Sequence, residues 1–263
     1  MRSCLVVTTY ERPDALARVL ASLAAQSNWP DEVIVADDGS GPATRIVIER
    51  FANTAPRPVR HVWQPHAGFR AGRVRNLAVA RTAADYVILL DGDMVMHPWF
   101  VADHLDAARD GCWHQGVRVA LDEPASVRLL ASAAVPRGWW SGLGLRRVYA
   151  ARSPLVSRFT GRIANAVIAV KSCNQGFWRR HLLAANGFDE TMIGWGSEDK
   201  ELCARLANAG IARRTLLFRG IAFHLAHPPA PRNGAAANRE HWQATVQRGR
   251  TRCDAGIDQH LPP

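Results

Sequence analysis

Asp91-Gly92-Asp93 ends the apolar run "YVILL" at 86–90. Two carboxylates flanking a glycine at the end of a buried strand can turn toward one point. Hard oxygen ligands of that kind suit Mg²⁺ or Mn²⁺ bridging to a diphosphate, although Asp and Gly are also ordinary turn residues. A second acid pair, Asp37-Asp38, lies in "ADDGS" (36–40). Carboxylates there can accept hydrogen bonds from a base imide or a ribose hydroxyl, or close the strand as an Asx turn. In the third cluster, "GWGSEDKEL" (194–202), Trp195 sits between two glycines just ahead of Glu198 and Asp199. Acids in the first turn complement a helix's positive end, which explains the acids but not the Gly-Trp-Gly.

These clusters need elements to hold them. "CLVVTTY" (4–10), "EVIVADDGS" (32–40), "VRHVW" (59–63) and "YVILLDGD" (86–93) read as strands. Between them run helices that open at Pro13 and Pro42, and a third over 72–83. Unbroken apolar runs indicate strands covered on both faces, hence a mainly parallel sheet. Repeated strand–helix–strand units predict a doubly wound, Rossmann-like α/β fold with right-handed crossovers. Ligands of such sheets bind beyond the carboxyl ends of the strands, where Thr8-Thr9-Tyr10, Asp37-Asp38 and Asp91-Gly92-Asp93 fall. The stretch 123–165 is irregular and reads as a long excursion near the site. A strand leading into a helix follows over 165–187, then a helix over 198–209 stopped by Gly210, and a pair of short strands or a strand and turn in 215–229. The chain therefore divides into 1–110, 111–227 and a basic tail, 228–263, with helical character.

The chain of 263 residues carries 33 Lys and Arg against 23 Asp and Glu, a formal charge of +10. That balance favours anionic partners such as nucleotides, phosphorylated lipids or acidic membrane. No helix-turn-helix, zinc or RNA-binding signature is present and the arginines are spread rather than striped, so nucleic acid is not the expected partner. Five cysteines without a CxxC pair argue against a disulfide scaffold or cysteine zinc site and fit a reducing cytoplasm. The first apolar run is too short for a signal peptide, and no stretch approaches the roughly 20 apolar residues of a span. The expected location is cytoplasmic, soluble or peripheral at the inner face of the membrane. In 136–162, Trp139, Trp140, Leu143, Leu145 and Val148 interleave with Arg137, Arg146 and Arg147. That mixture suits either an anionic membrane surface or an acceptor loop.

"VVTTYERPDALARVLASLAAQ", "EVIVADDGS", "GRVRNLAVARTAADYVILLDGD" and "GWGSEDKEL" together resemble a family 2 glycosyltransferase of the GT-A fold. The carboxyl-terminal part is similar to a galactosyltransferase-type module, and the resemblance covers about 5–225. It implies that residues 1–110 bind a nucleotide-sugar, UDP foremost, while 111–227 supply the acceptor side and the catalytic groups. Thr8, Tyr10 and Arg12 would line the nucleotide pocket, Asp37 and Asp38 would hold uracil and ribose, and Arg75 and Asn76 would bind the donor. Asp91 and Asp93 would hold Mn²⁺ or Mg²⁺, Asp93 directly, with His224 completing the metal site and His227 as its rival. Asp199 matches the family's general base and Glu198 the acid beside it. Trp195 offers a flat face to a sugar ring, with Gly194 and Gly196 letting the backbone bend. Asn174 begins "NQGFWRR", a segment similar to the one that meets the donor sugar. The implied reaction is inverting, metal-assisted transfer of a hexosyl or N-acetylhexosaminyl group. Its acceptor would be a hydroxyl of a glycan or lipid-linked substrate, in cell-envelope polysaccharide or lipopolysaccharide synthesis. A nucleotidyltransferase of similar fold would leave Gly-Trp-Gly-Ser-Glu-Asp without a purpose.

Overall fold

The structure is a computed structural model that describes residues 1–132, 145–160, 163–164, 170–228 and 234–262. Its first half alternates strands and helices: β1 (Ser3–Thr9), α1 (Pro13–Ala24), β2 (Glu32–Asp37), α2 (Pro42–Ala52), β3 (Val59–Trp63), α3 (Ala71–Ala80) and β4 (Tyr86–Asp91). Pro13 and Pro42 each occupy a helix's first turn, where a missing N–H costs nothing. β5 (Met94–Met96), α4 (Phe100–Ala107), β6 (Cys112–Gln115), β7 (Val117–Ala120) and α5 (Glu123–Leu130) follow. Next come α6 (Pro154–Thr160), β8 (Ile163–Ala164), β9 (Asn174–Trp178), α7 (Arg179–Ala185), α8 (Glu198–Asn208), β10 (Ala212–Thr215), β11 (Ile221–His224) and α9 (Ala235–Gln247).

The main sheet has the order β3-β2-β1-β4-β9-β6-β10-β8. β3, β2, β1 and β4 are parallel neighbours, and β9 runs antiparallel between β4 and β6. A small second sheet, β5-β11-β7, lies beside it. Alternate residues of β1 enter different cores. Leu5 and Val7 join Leu16, Leu20, Ile88, Phe100, Val119 and Phe223, whereas Cys4 and Val6 join Val74, Val87, Trp113, Phe177 and Leu202. Both faces are covered, the condition under which a strand needs no polar alternation.

The later half departs from the sequence reading. β5, β6, β7, α4 and α5 carry no clear sequence signal. β6 reads "CWHQ", yet Trp113, His114 and Gln115 are all buried. The basic tail forms α9 and then returns to the interior, placing Cys253 and Ile257 in contact with the fold. All five cysteines are buried free thiols. Among the described residues, no helix is long and apolar enough to cross a membrane. Trp139, Trp140, Leu143 and Arg137, on which the membrane-surface expectation partly rests, lie outside the described residues.

Candidate active site

β1, β2 and β4 end together because their register pairs Thr8 with Asp91 and Thr9 with Asp37. The turn after β4 presses on β1: the Gly92 amide donates to the Thr8 carbonyl at 2.7 Å, and a Cβ on Gly92 would lie 2.9 Å from that oxygen. Glycine is therefore required at the centre of Asp-Gly-Asp.

Asp93 forms the polar corner of this rim. Its Oδ2 lies 3.1 Å from His227 Nε2, 3.6 Å from His224 Nε2 and 3.4 Å from an Arg12 nitrogen. Among the described residues, its buried Oδ1 has no hydrogen-bond partner. Burial opposes ionisation of Asp93, but the bond to His227, with His224 and Arg12 nearby, holds its carboxyl below the usual carboxylate range. Burial pushes His224 down to about 4, with Asp93 opposing and Arg118, 3.1 Å from its ring, assisting. The more exposed His227 is raised, chiefly by its bond to Asp93. A neutral histidine, an ionised carboxylate and an orphaned carboxylate oxygen form a donor set that fits a borderline-hard divalent ion. One ligand atom each from Asp93, His224 and His227 lie within 4.8 Å of one another. Asp189, Glu201 and His241 cluster similarly. There, however, Arg205 fills both Glu201 oxygens and Thr191 and His241 occupy Asp189, so a cation has no place.

Arg75, buried on α3, joins the two sides of the site. Its guanidinium donates to Asp91 Oδ1 at 2.8 Å and to Thr8 Oγ1 at 3.1 Å, and lies 3.8 Å from Glu198 Oε1. It also covers the Phe188 ring at 5.3 Å. Glu198 and Asp199 open α8 and are both nearly buried. Burial and the neighbouring Asp199 push Glu198 up to about 7, with Arg75 pulling the other way; its Oε2 has no hydrogen-bond partner among the described residues. Burial also raises Asp199, against the Lys200 and Ser172 amides that donate to its two oxygens at 2.7 and 2.9 Å. Burial raises Asp91 too, against Arg75.

Ahead of these acids the chain passes through Gly194 (φ +89°), Trp195, Gly196 (φ +105°) and Ser197 (φ +69°). That left-handed run suits two glycines and turns Trp195 partly outward, while the Gly194 amide donates to the Phe69 carbonyl. A Cβ on Gly196 would meet nothing within 4 Å. On the opposite rim Tyr10 stacks on His66 at 4.4 Å. Asp37 is wholly buried against Ser40 and His61, and Asp38 accepts from Gln64 and the Arg70 amide. This acid pair shapes the crevice by fixing the 64–70 loop, which in turn reaches Gly194.

Two residues expected to meet the donor do something else. Asn76 neighbours Arg75 but faces the interior, where its carboxamide clasps both backbone groups of Phe188 at 2.8 Å and reaches Glu190. Asn174 is equally buried, bonding His104 and the carbonyls of Val117 and Gly220. Both hold backbone in place and offer nothing to a sugar. Arg118 and Ser172 were missed. Arg118 on β7 alternates with the buried Val117 and Val119 and reaches His224 instead; a four-residue strand gave it no clear signal. The Ser172 contribution is a backbone amide, which leaves no trace in side-chain type.

With this geometry in place, the family model for Glycosyl transferase family 2 matches residues 4–136, half of the chain. The chain belongs to glycosyl transferase family 2. A second model, N-terminal domain of galactosyltransferase, matches residues 165–228 of this family 2 member. Validoxylamine A glucosyltransferase of Streptomyces hygroscopicus subsp. limoneus is 28% identical over 79% of this chain and 48% of its own length. Chondroitin synthase of Escherichia coli is 29% identical over 87% of this chain and 35% of its own. The chain thus spans half or less of either relative's length. GalNAc-T7, solved with UDP, GalNAc and Mn²⁺, superposes with a TM-score of 0.69 at 11% identity, over 93% of this chain and 48% of its own. The GT-A fold is shared with such glycosyltransferases.

Proposed function

We propose that this glycosyltransferase moves a hexosyl or N-acetylhexosaminyl group from a UDP-linked donor to an acceptor hydroxyl, with inversion. The observation that carries this reading is the Arg75 bridge. One buried guanidinium ties Asp91, on the Asp-Gly-Asp rim, to Glu198, beside the base, so both faces of a reacting carbon are addressed in one space. Asp93, with His224 and His227, would hold Mn²⁺ or Mg²⁺; when bound, such an ion neutralises the leaving diphosphate. Arg12 and Arg118 add fixed positive charge around that corner. Asp199 takes the acceptor proton, and its raised pKa brings it nearer the operating pH of a general base. Glu198 presents its unpartnered oxygen to sugar hydroxyls, and Trp195 offers a ring face to the acceptor.

The chondroitin synthase relative supports a glycan acceptor in envelope polysaccharide synthesis. A lipid-linked acceptor is supported by α6, where Leu155, Val156 and Phe159 are exposed beside Arg158, a pairing suited to an anionic membrane surface. Thermal unfolding with UDP and Mn²⁺ tests the donor side. At a hundredfold excess over Kd, binding adds about 2.7 kcal/mol, a midpoint rise of about 5–10 °C for a chain of this size. The rise should vanish with EDTA and in Asp93→Ala. A rise indifferent to EDTA, or matched by random oligonucleotides, would overturn the reading. Hydrolysis of UDP-, GDP- and dTDP-sugars then names the donor.

A further inference from the structure

The two family matches end at 136 and 228, and α9 lies beyond both. Yet α9 grips each end of the Trp195–Asp199 segment. Ahead of it, the buried Asn238 carboxamide donates to the carbonyls of Ile193 and Gly194 at 3.3 and 3.4 Å. Behind it, Lys200 Nζ lies 5.0 Å over the Trp242 ring; a separate α9–α8 bond, from Thr245 Oγ1 to Glu201 Oε1 at 3.0 Å, lies beyond the segment, inside α8. His241 fixes Asp189, whose other oxygen holds Thr191, two residues before Ile193. The approach is close enough to dictate sequence: Gly234, at the start of α9, has φ +83°, and a Cβ there would lie 2.7 Å from the Ile193 oxygen. The segment so gripped contains Ser197 in the left-handed region, a conformation that persists only when its surroundings impose it.

We infer that α9 is the positioning element of the Trp195 loop and that Asn238 is the positioning residue through which it acts. Its catalytic consequence rests on the proposed roles of Trp195 and Asp199; its structural consequence does not. The Asn238 bonds fix the carbonyls from which the Gly-Trp-Gly turn departs. Losing them leaves the nucleotide side untouched and loosens the acceptor side.

Asn238→Ala is compared with Thr245→Val, which removes a buried α9–α8 bond remote from the turn, each below its thermal midpoint. In Asn238→Ala, kcat should fall about tenfold or more, as a misplaced group requires, with the donor KM unchanged. Acrylamide quenching of Trp195, isolated by difference against Trp195→Phe, should increase. Thr245→Val should lower stability without either change. Gly234→Ala, which pushes α9 off Ile193, should reproduce the Asn238→Ala pattern and serves if that variant does not fold. Unchanged Trp195 quenching in the Asn238 and Gly234 variants, or equal loss of kcat in Thr245→Val, overturns the inference. Absence of transfer in the unsubstituted chain with every nucleotide-sugar overturns the proposed function instead, and the quenching result still decides the role of α9.

Discussion

Glu198 and Asp199 are neighbours in sequence but not in surroundings. The Asp199 oxygens are engaged by two backbone amides, whereas Glu198 faces Arg75 and keeps one oxygen unpartnered. The folded protein holds the Glu198 proton up to about pH 7, while an unfolded chain releases it near 4.5. The stability from the neutral form is thus complete below pH 4.5 and lost as pH rises toward 7. Glu198→Gln should remove this loss, so its advantage over the unsubstituted protein should grow by about 2.5 kcal/mol between pH 5 and 8. Urea unfolding at both pH values measures it, and a pH-independent difference would reject it. At this scale the sequence was informative where residue type dictates chemistry: the fold brings Asp91, Asp93, Glu198 and Asp199 to one candidate site. It was uninformative for amides, because a carboxamide serves a ligand and a backbone equally well. Asn76 and Asn174 went to backbone.

At the scale of elements, α3 shows how one turn serves two purposes. Arg75 points into the site and Asn76 into the core, where it fixes the Phe188 ring beneath the guanidinium. Asn174 has the analogous task where β9 meets the second sheet, and a Cβ on Gly116 would lie 2.3 Å from its side chain. Asn174→Ala leaves buried carbonyls unpaired and should cost about 2–4 kcal/mol. The UDP–Mn²⁺ midpoint rise should survive in this variant; selective loss of that rise at unchanged stability would return Asn174 to the donor site. β1, β2 and β4 were legible because burial on both faces leaves an unbroken apolar run. β6 and β7 were not, because each is four residues long and carries His, Gln or Arg at positions that tertiary contacts satisfy.

At the scale of the molecule, the main sheet gathers Asp37 and Asp91 at its strand ends and the second sheet brings in His224, while α9 closes over α8. The tail's polar, basic composition hid this last contribution, since its anchoring is by Asn238, His241 and Thr245 rather than by an apolar stripe. Excess positive charge and exposed Phe159 make a specific forecast for the lipid-linked reading. The protein should float with anionic liposomes at low salt and lose this at high salt, as a Debye length of about 3 Å at 1 M implies. Phe159→Glu should weaken flotation, and no flotation at low salt would remove the lipid-surface proposal.

The two-sided site is tested most directly by measuring donor binding and sugar transfer on one preparation of Asp199→Asn. The substitution keeps the side chain's size and removes the proposed proton acceptor. The UDP–Mn²⁺ midpoint rise should match that of the unsubstituted protein while transfer falls by about 10²–10⁴-fold, the range for a lost general base. Transfer at an undiminished rate would place the base elsewhere and contradict the account.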